Sequence, residues 1–334
     1  MPGSRVARWR YRWRRLRSPG GVNAVRRMLE RGIDRGWVLA RRRWRPPPSG
    51  DEFDGEPRLA LLTVNFHTTH DLKLLLLTLC EQELLGLVHR IVVCDQASRD
   101  GGPAFLRELA RRVDRLELVE CRRFRNHARG LRACVRELDR VEAGRAADER
   151  ANLLLCSDTD VVFRNTETLA DLAGTVLAHD AALVGEIRRG PNPLPDIQAS
   201  NPLPDIQASF FVIRRDAYAR RSTVPFVNHG SPAYLTQRSI WDAGLPVVHF
   251  PSNVGGFVLH KGRGAVMATR AYAPHDSHGD APATAHFIGV TDGARIWAEI
   301  EARYADLLEP SAQARLLDVL AERLEALGTV VVTD

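Results

Sequence analysis

From Leu59 onward, apolar runs alternate with amphipathic stretches. Leu59–Phe66 (LALLTVNF) is apolar and rich in strand formers, so it predicts a strand. Asp71–Leu84 predicts a helix, His89–Asp95 (HRIVVCD) a second strand and Pro103–Arg112 a second helix. Leu116–Cys121 alternates as a third strand. Asn126–Leu138 predicts a helix with Leu131, Cys134, Val135 and Leu138 on one side, and Asn152–Cys156 (NLLLC) a fourth strand. This rhythm argues for an α/β fold with a mostly parallel sheet covered by helices on both faces. In such sheets ligands sit beyond the carboxyl ends of the strands. Asn65, Asp95 and Asp158 all stand at such ends.

The second half is less regular. Ala181–Ile187, Phe210–Arg215 and Leu245–Phe250 read as strands and Pro232–Ala243 as a helix. Between the first two of these strands the words NPLPDIQAS occur twice in succession, as Asn192–Ser200 and Asn201–Ser209. Each copy holds two prolines and no sustained period, so the stretch reads as an extended loop lengthened by duplication. Toward the end Ile296, Ile300, Tyr304 and Leu307 share a helix face. Ser311 is placed to cap a further helix carrying Leu316, Leu317, Leu320, Leu324 and Leu327.

Charge separates the N-terminal part from the rest. Residues 1–45 hold fifteen arginines against Glu30 and Asp34, so this arm carries +13 while the whole chain carries +6. Val22, Val25, Leu29, Ile33 and Trp37 have near-helical spacing within it, which predicts an amphipathic helix. Arg45–Pro57 (RPPPSGDEFDGEP) cannot continue a helix and reads as a linker. The expected organisation is an arm over 1–45, a linker over 46–57, a domain over 58–290 and C-terminal helices over 291–334. The arm suits an anionic membrane surface, with Trp9, Trp13, Trp37 and Trp44 at headgroup level. Aromatic RNA-binding signatures are missing, which disfavours nucleic acid as a partner. No run approaches the roughly 18 apolar residues of a spanning helix. The five cysteines have no CxxC or metal-finger spacing. The expected location is cytoplasmic, peripheral on the inner face of the plasma membrane.

Candidate chemistry gathers at the fourth strand end. LLLCSDTDVVF places Asp158 and Asp160 one residue apart, where two carboxylates can face one divalent cation. A pair of this kind also arises as a simple capped turn. There is no GxGxxG after a strand, no phosphate-binding GxxxxGK[ST] loop and no GxSxG elbow, which disfavours dinucleotide oxidoreductases, P-loop enzymes and α/β-hydrolases.

Four segments in order, LTVNFHTTHDLKLLLLTL, RIVVCDQASRDGG, NHARGLRACV and LLLCSDTDVVF, together resemble the family 2 glycosyltransferases of the GT-A fold. The likeness covers roughly Leu59 to Phe163, with a weaker echo through FFVIRRDAY (Phe210–Tyr218) to VLHKGRG (Val258–Gly264). It implies a GT-A sheet with a C-terminal helical extension, a nucleotide-sugar donor, and transfer with inversion to a glycan, lipid-linked or small-molecule acceptor. It places Thr63 and Asn65 beside the base and ribose, Asp95 on the base, and Asp158 near the ribose or metal. Asp160 and His260 would complete a site for Mg2+ or Mn2+, and VLHKGRG would offer a flexible cationic strip to the diphosphate. The family's acidic general base has no counterpart, because Ala217 to Trp241 contains no Asp or Glu. His229 is the expected substitute, with Asp205, Asp196 and Asp242 as further candidates. Two other function classes remain open on the residues: an inactive sugar-nucleotide binder, and a protein acting through its basic arm.

Overall fold

Among the described residues, the expected strands and helices form in the expected order. A computed structural model of the chain describes residues 53–188, 205–227, 233–272, 284–287 and 289–326. The basic arm, the first duplicated copy, Asp196, His229 and Leu327 lie outside the described residues. Strands Leu59–Asn65 (β1), Val88–Asp95 (β2), Leu116–Glu120 (β3) and Leu153–Ser157 (β4) are linked by helices Thr69–Leu79 (α1), Gly102–Ala110 (α2) and His127–Val141 (α3). Then come Val161–Phe163 (β5), Thr168–Ala178 (α4), Leu183–Arg188 (β6), Asp205–Arg214 (β7), Arg215–Ala219 (α5) and Tyr234–Asp242 (α6). Val247–His249 (β8), Val258–His260 (β9) and Gly264–Tyr272 (α7) follow, and Gly293–Arg303 (α8), Ala305–Leu308 (α9) and Gln313–Glu325 (α10) close the described chain.

The main sheet has the order β3-β2-β1-β4-β7-β6-β8. β7 runs antiparallel to β4 and β6, and the other pairings are parallel. β5 and β9 pair antiparallel in a separate two-stranded sheet. Strand alternation divides the core. Leu59, Leu61, Ile91, Val93, Leu153 and Leu155 pack on one face with α1 and α2. Ala60, Leu62, Val92, Cys94, Leu154 and Cys156 pack on the other with α3. Burial on both faces explains why the strands read as unbroken apolar runs. The C-terminal helices belong to the first cluster through Trp297, Ile300, Tyr304, Leu316, Leu317, Leu320 and Leu324. Among the described residues, no helix is long and apolar enough to cross a membrane.

Besides the break at Tyr304, which divides the helix expected to carry Ile296, Ile300, Tyr304 and Leu307 into α8 and α9, three details differ from the sequence expectation. α1 stops at Leu79 rather than Leu84, because Glu83 N donates to the Thr166 carbonyl at 2.9 Å instead of to Leu79 one turn back; the Gln82 side chain holds the same segment, its Nε2 donating to the Asn165 carbonyl at 2.7 Å and its Oε1 accepting from Leu169 N at 3.2 Å. Ser311 does not cap α10. Pro310 opens a short 3-10 turn that already contains Ser311, and Ala312 is the N-cap. The third difference concerns the duplication. DIQAS of the second copy is not loop but the first half of β7, with Asp205 opposite Arg188 and Ile206 opposite Ile187. The side-chain amide of Gln237 grips Ile206 on both sides, accepting from its N–H and donating to its C=O at 2.9 Å each.

Deleting either copy yields the same polypeptide, and the sequence DIQASF that builds β7 survives in it. Halving a connection changes its closure entropy by only about 0.6 kcal/mol. The nine-residue deletion is therefore expected to leave the melting temperature nearly unchanged; a collapse of the melting transition would show that the strand needs both copies.

Candidate functional site

The carboxyl edge of the parallel strands gathers the polar residues. β4 ends at Ser157, and the chain turns through Asp158 and Thr159 into Asp160 before β5 begins. The turn is anchored at both sides. Asp158 N donates to the Ser209 carbonyl of β7 at 2.8 Å, and the Thr159 hydroxyl is 2.7 Å from that of Thr68, just before α1. β5 then pairs with β9 so that Val161 lies opposite His260. That pairing carries a residue distant in sequence onto the two aspartates.

The resulting triad is close. One ligand atom each from Asp158, Asp160 and His260 can be chosen so that all lie within 4.8 Å of one another. His260 Nε2 is 3.4 Å from Asp160 Oδ1 and 3.6 Å from Asp158 Oδ2. His127, the first residue of α3, approaches from the other side, its Nε2 3.4 Å from Asp158 Oδ1. Asp160 is the more constrained carboxylate: its Oδ2 accepts from Gly264 N at 2.9 Å and its backbone carbonyl from Lys261 N at 2.9 Å.

Charge inside the triad is distributed unequally. Burial pushes Asp160 upward, but the His260 charge and hydrogen bond, the Gly264 N–H and Lys261 outweigh it and bring the carboxyl down to about 2. Burial also dominates at Asp158, where His127 and His260 offset it only in part, so this carboxyl lies above the usual range. Its side chain keeps 26% of its exposure, so water still tempers that effect. His260 is pulled down by burial and, more strongly, up by Asp160 and then Asp158. An imidazole with raised basicity held between two carboxylates marks a place where positive charge is favoured, and the O,O,N donor set fits a divalent cation.

The supports of His260 carry no signal in the linear sequence. Its N–H donates to Asn253 Oδ1 at 2.9 Å. Asn253 is held in turn by Glu186 of β6, whose Oε2 accepts from Asn253 N at 2.6 Å, and by Gln207 of β7, whose Oε1 accepts from Asn253 Nδ2 at 3.2 Å. Gln207 Nε2 closes the ring by donating to Glu186 Oε1 at 3.3 Å. His286, the last histidine of HDSHGDAPATAH, stands beside His260, its ring centroid 5.9 Å away in an edge-on arrangement.

The strip after His260 is tied down rather than flexible. Lys261 Nζ donates to Asp71 Oδ1 at 2.9 Å and lies 4.8 Å from the centroid of the Trp297 ring. Gly264 then opens α7 directly against the triad. A Cβ there would lie 2.8 Å from Asp160 Oδ2 and 3.0 Å from Asp71 Oδ2. Both carboxylates are buried, so neither can swing away freely. Gly264→Ala is expected to cost about 1–3 kcal/mol in stability and to weaken Mn2+ binding about tenfold by displacing a ligand oxygen. Melting and calorimetric Mn2+ titration check this; wild-type values in both would show that the close approach relaxes without effect.

The other expected residues are placed as follows. Asn65 and Asp95 are opposite each other in the β1–β2 register and bonded, Asn65 Nδ2 to Asp95 Oδ2 at 2.8 Å. Asp95 Oδ1 accepts from Ser98 N at 3.0 Å, and both residues are buried. Thr63 lies opposite Ser157 in register, and its buried hydroxyl has no partner among the described residues. Asp205 overhangs the same edge at the start of β7, five residues before Phe210, the partner of Ser157. At strand rise this is roughly 16 Å along the strand. Its carboxylate is ion-paired to Arg188 at 2.7 Å. Asp242, at the end of α6, pairs with Arg238 at 3.0 Å.

No family model matches the sequence, and no curated protein does. Among solved structures, the chain is similar to the mannosyltransferase PcManGT from Pyrobaculum calidifontis in complex with GDP-Man and Mn2+, at 17% identity, with 89% of this chain and 94% of that one covered and a TM-score of 0.44. S. aureus TarS 1–349 in complex with UDP-GlcNAc is similar at 14% identity over 81% of this chain and 83% of that one, with a TM-score of 0.44. Glucosyl-3-phosphoglycerate synthase from Mycobacterium tuberculosis, in complex with Mn2+, UDP and glucosyl-3-phosphoglycerate, is similar at 15% identity over 62% of this chain and 76% of that one, with a TM-score of 0.40. At such scores these are likenesses and nothing more.

Proposed function

We propose that the chain is a divalent-metal-dependent, inverting glycosyltransferase of the GT-A kind, using a nucleotide-diphosphate sugar. The observation that carries this reading is the convergence of Asp158, Asp160 and His260 within 4.8 Å at the carboxyl edge of a mostly parallel sheet. A bound Mg2+ or Mn2+ supplies positive charge that stabilises a leaving nucleoside diphosphate. Asp160 and His260 would hold it, with Asp158 near the metal or the ribose. Thr63, Asn65 and Asp95 form the floor on which the nucleoside lies. Lys261, fixed by Asp71, lends charge beside the diphosphate.

In the transfer step an acceptor hydroxyl oxygen bonds to the anomeric carbon as the carbon–oxygen bond to the diphosphate breaks, and a base takes the hydroxyl proton. His229 is the proposed base, since an imidazole accepts a proton near neutral pH and no carboxylate occurs from Ala217 to Trp241. Asp205 stands second because its carboxylate is already paired with Arg188. That engagement favours one other reading, a sugar-nucleotide binder without transferase activity.

A panel of nucleotide sugars, each with and without Mn2+, tests the function by melting and by transfer or hydrolysis of the donor. One donor should stabilise the protein only with metal, by about 2.7 kcal/mol at a hundredfold excess over Kd. His229→Ala should then lower turnover by roughly 100-fold or more with donor affinity retained. Stabilisation without turnover would select the inactive binder, and no metal-dependent stabilisation by any donor would remove both readings.

A further inference from the structure

At the opposite edge of the sheet, where β2 and β3 begin, lies a second polar cavity of about 360 Å3. It lies roughly 20 Å along β2 from Asp95, taking strand rise over the length of that strand. Its cationic lining is Arg90, Arg115 and Arg145, with the His89 imidazole beside them. Arg90 is more than nine-tenths buried, with 8% of its surface exposed. Its Nη1 donates to the Asp114 carbonyl at 3.0 Å, and Arg115 Nη1 donates to the Val88 carbonyl at 2.9 Å. Each guanidinium is thereby fixed in orientation by one N–H, with its other donors unspent. Among the described residues, none of Arg90, Arg115 and Arg145 is ion-paired to a carboxylate.

Elsewhere this chain pairs its arginines readily, as in Arg107 with Glu120 and Arg140 with Glu137. The carboxylates of the cavity do not serve that purpose. Asp114, Glu149 and Glu325 are exposed at its rim, and Glu325 Oε1 accepts from Asp114 N at 2.6 Å. Buried Arg90 and half-buried Arg115 therefore form the floor, and the carboxylates with exposed Arg145 the rim. Like charge is felt there: burial and then Arg58, Arg115 and Arg90 push His89 below its ordinary value. Glu325 acts on Arg115 and Glu117 on Arg90 through space, without an ion pair to either. A buried guanidinium without a bonded carboxylate is costly, and fixed forks facing one hollow match the oxygens of a phosphate group.

We propose that this cavity binds a phosphate-bearing ligand, a phosphomonoester or diphosphate, at a site separate from the metal triad. The shared chemistry is a tetrahedral oxyanion on Arg90 and Arg115, with Arg145 closing over it from the rim. The source is a soluble phosphate ester or a phospholipid headgroup, and the volume admits either.

The test uses the full-length chain with a chelator present, and is repeated on Asp160→Asn so that the triad does not contribute. Inorganic diphosphate is titrated by calorimetry into the wild-type protein, Arg115→Gln and Arg145→Gln. Arg145 is exposed and makes no ion pair, so its variant should fold normally even if Arg115→Gln does not. The expected result is saturable binding, weakened about tenfold by Arg145→Gln. Equal affinity in wild type and Arg145→Gln, or no saturable binding, overturns the proposal. Competition separates the sources, because the +13 arm can itself hold the chain on anionic vesicles. Stronger displacement of diphosphate by a water-soluble short-chain phosphatidic acid than by glycerol 3-phosphate assigns the headgroup; equal or weaker displacement assigns the soluble ester.

Discussion

Replacing Asp160 by Asn should leave a folded protein that no longer gains donor affinity from Mn2+. The substitution keeps the shape and one carbonyl oxygen, so the 2.9 Å bond from Gly264 N can persist. It removes the negative charge, and it can turn an amide N–H toward His260, whose Nε2 lies 3.4 Å from Asp160 Oδ1. Even groups that only orient metal ligands are worth about 10–100-fold in affinity, so loss of a charged ligand should exceed about 100-fold. Calorimetry of Mn2+ with a donor nucleotide measures this directly, without depending on the acceptor. An unchanged Mn2+ dependence would remove Asp160 from the site.

The largest stability effect is expected far from that chemistry. Arg215, the first residue of α5, donates from Nη1 to Glu142 and to the Ala151 carbonyl, the latter at 2.8 Å, and from Nη2 to Asp139 at 2.7 Å. Glu142 has no side-chain exposure, and its Oε1 accepts from Ala151 N at 3.0 Å. Arg215→Met would leave that carboxylate buried beside apolar atoms. Breaking a buried pair from one side costs about 3–5 kcal/mol, or a fall in melting temperature of roughly 10 °C at this chain length. Adding Glu142→Met should recover much of the loss, because removing both charges is often nearly neutral. A single variant that melts as the wild type does would show that water reaches Glu142.

The positions of β1, β2 and β4 were legible because each is a short apolar run ending in Asn, Asp or Ser-Asp. Burial on both faces and a ligand edge at the carboxyl end write that pattern directly into the chain. The first aspartate pair was legible for the same reason. His260 could be named only through resemblance to a family, since nothing local in VLHKGRG says that β9 pairs with β5. The ring of Glu186, Gln207 and Asn253 was not legible at all. Its members are ordinary polar residues on separate elements, and only the fold tells them from solvent-facing ones. The start of β7 was misread because prolines set the character of the repeated words, while the pairing of Asp205 and Ile206 depends on β6 and Gln237.

The duplication also carries a consequence for how this chain can change over generations. Two identical texts sit side by side, yet β7 runs without a break from Asp205 into Phe210 and so draws on the second. There Ile206 and Ala208 belong to or pack against the core, Gln207 bonds to Glu186 and Asn253, and Ser209 receives the Asp158 N–H. Selection therefore reads the two copies unequally. A substitution in Asp205–Ser209 disturbs the sheet and, through Gln207 and Ser209, the supports of the Asp158–Asp160–His260 cluster. The second copy is thus held to its text by the sheet and by its carboxyl edge at once.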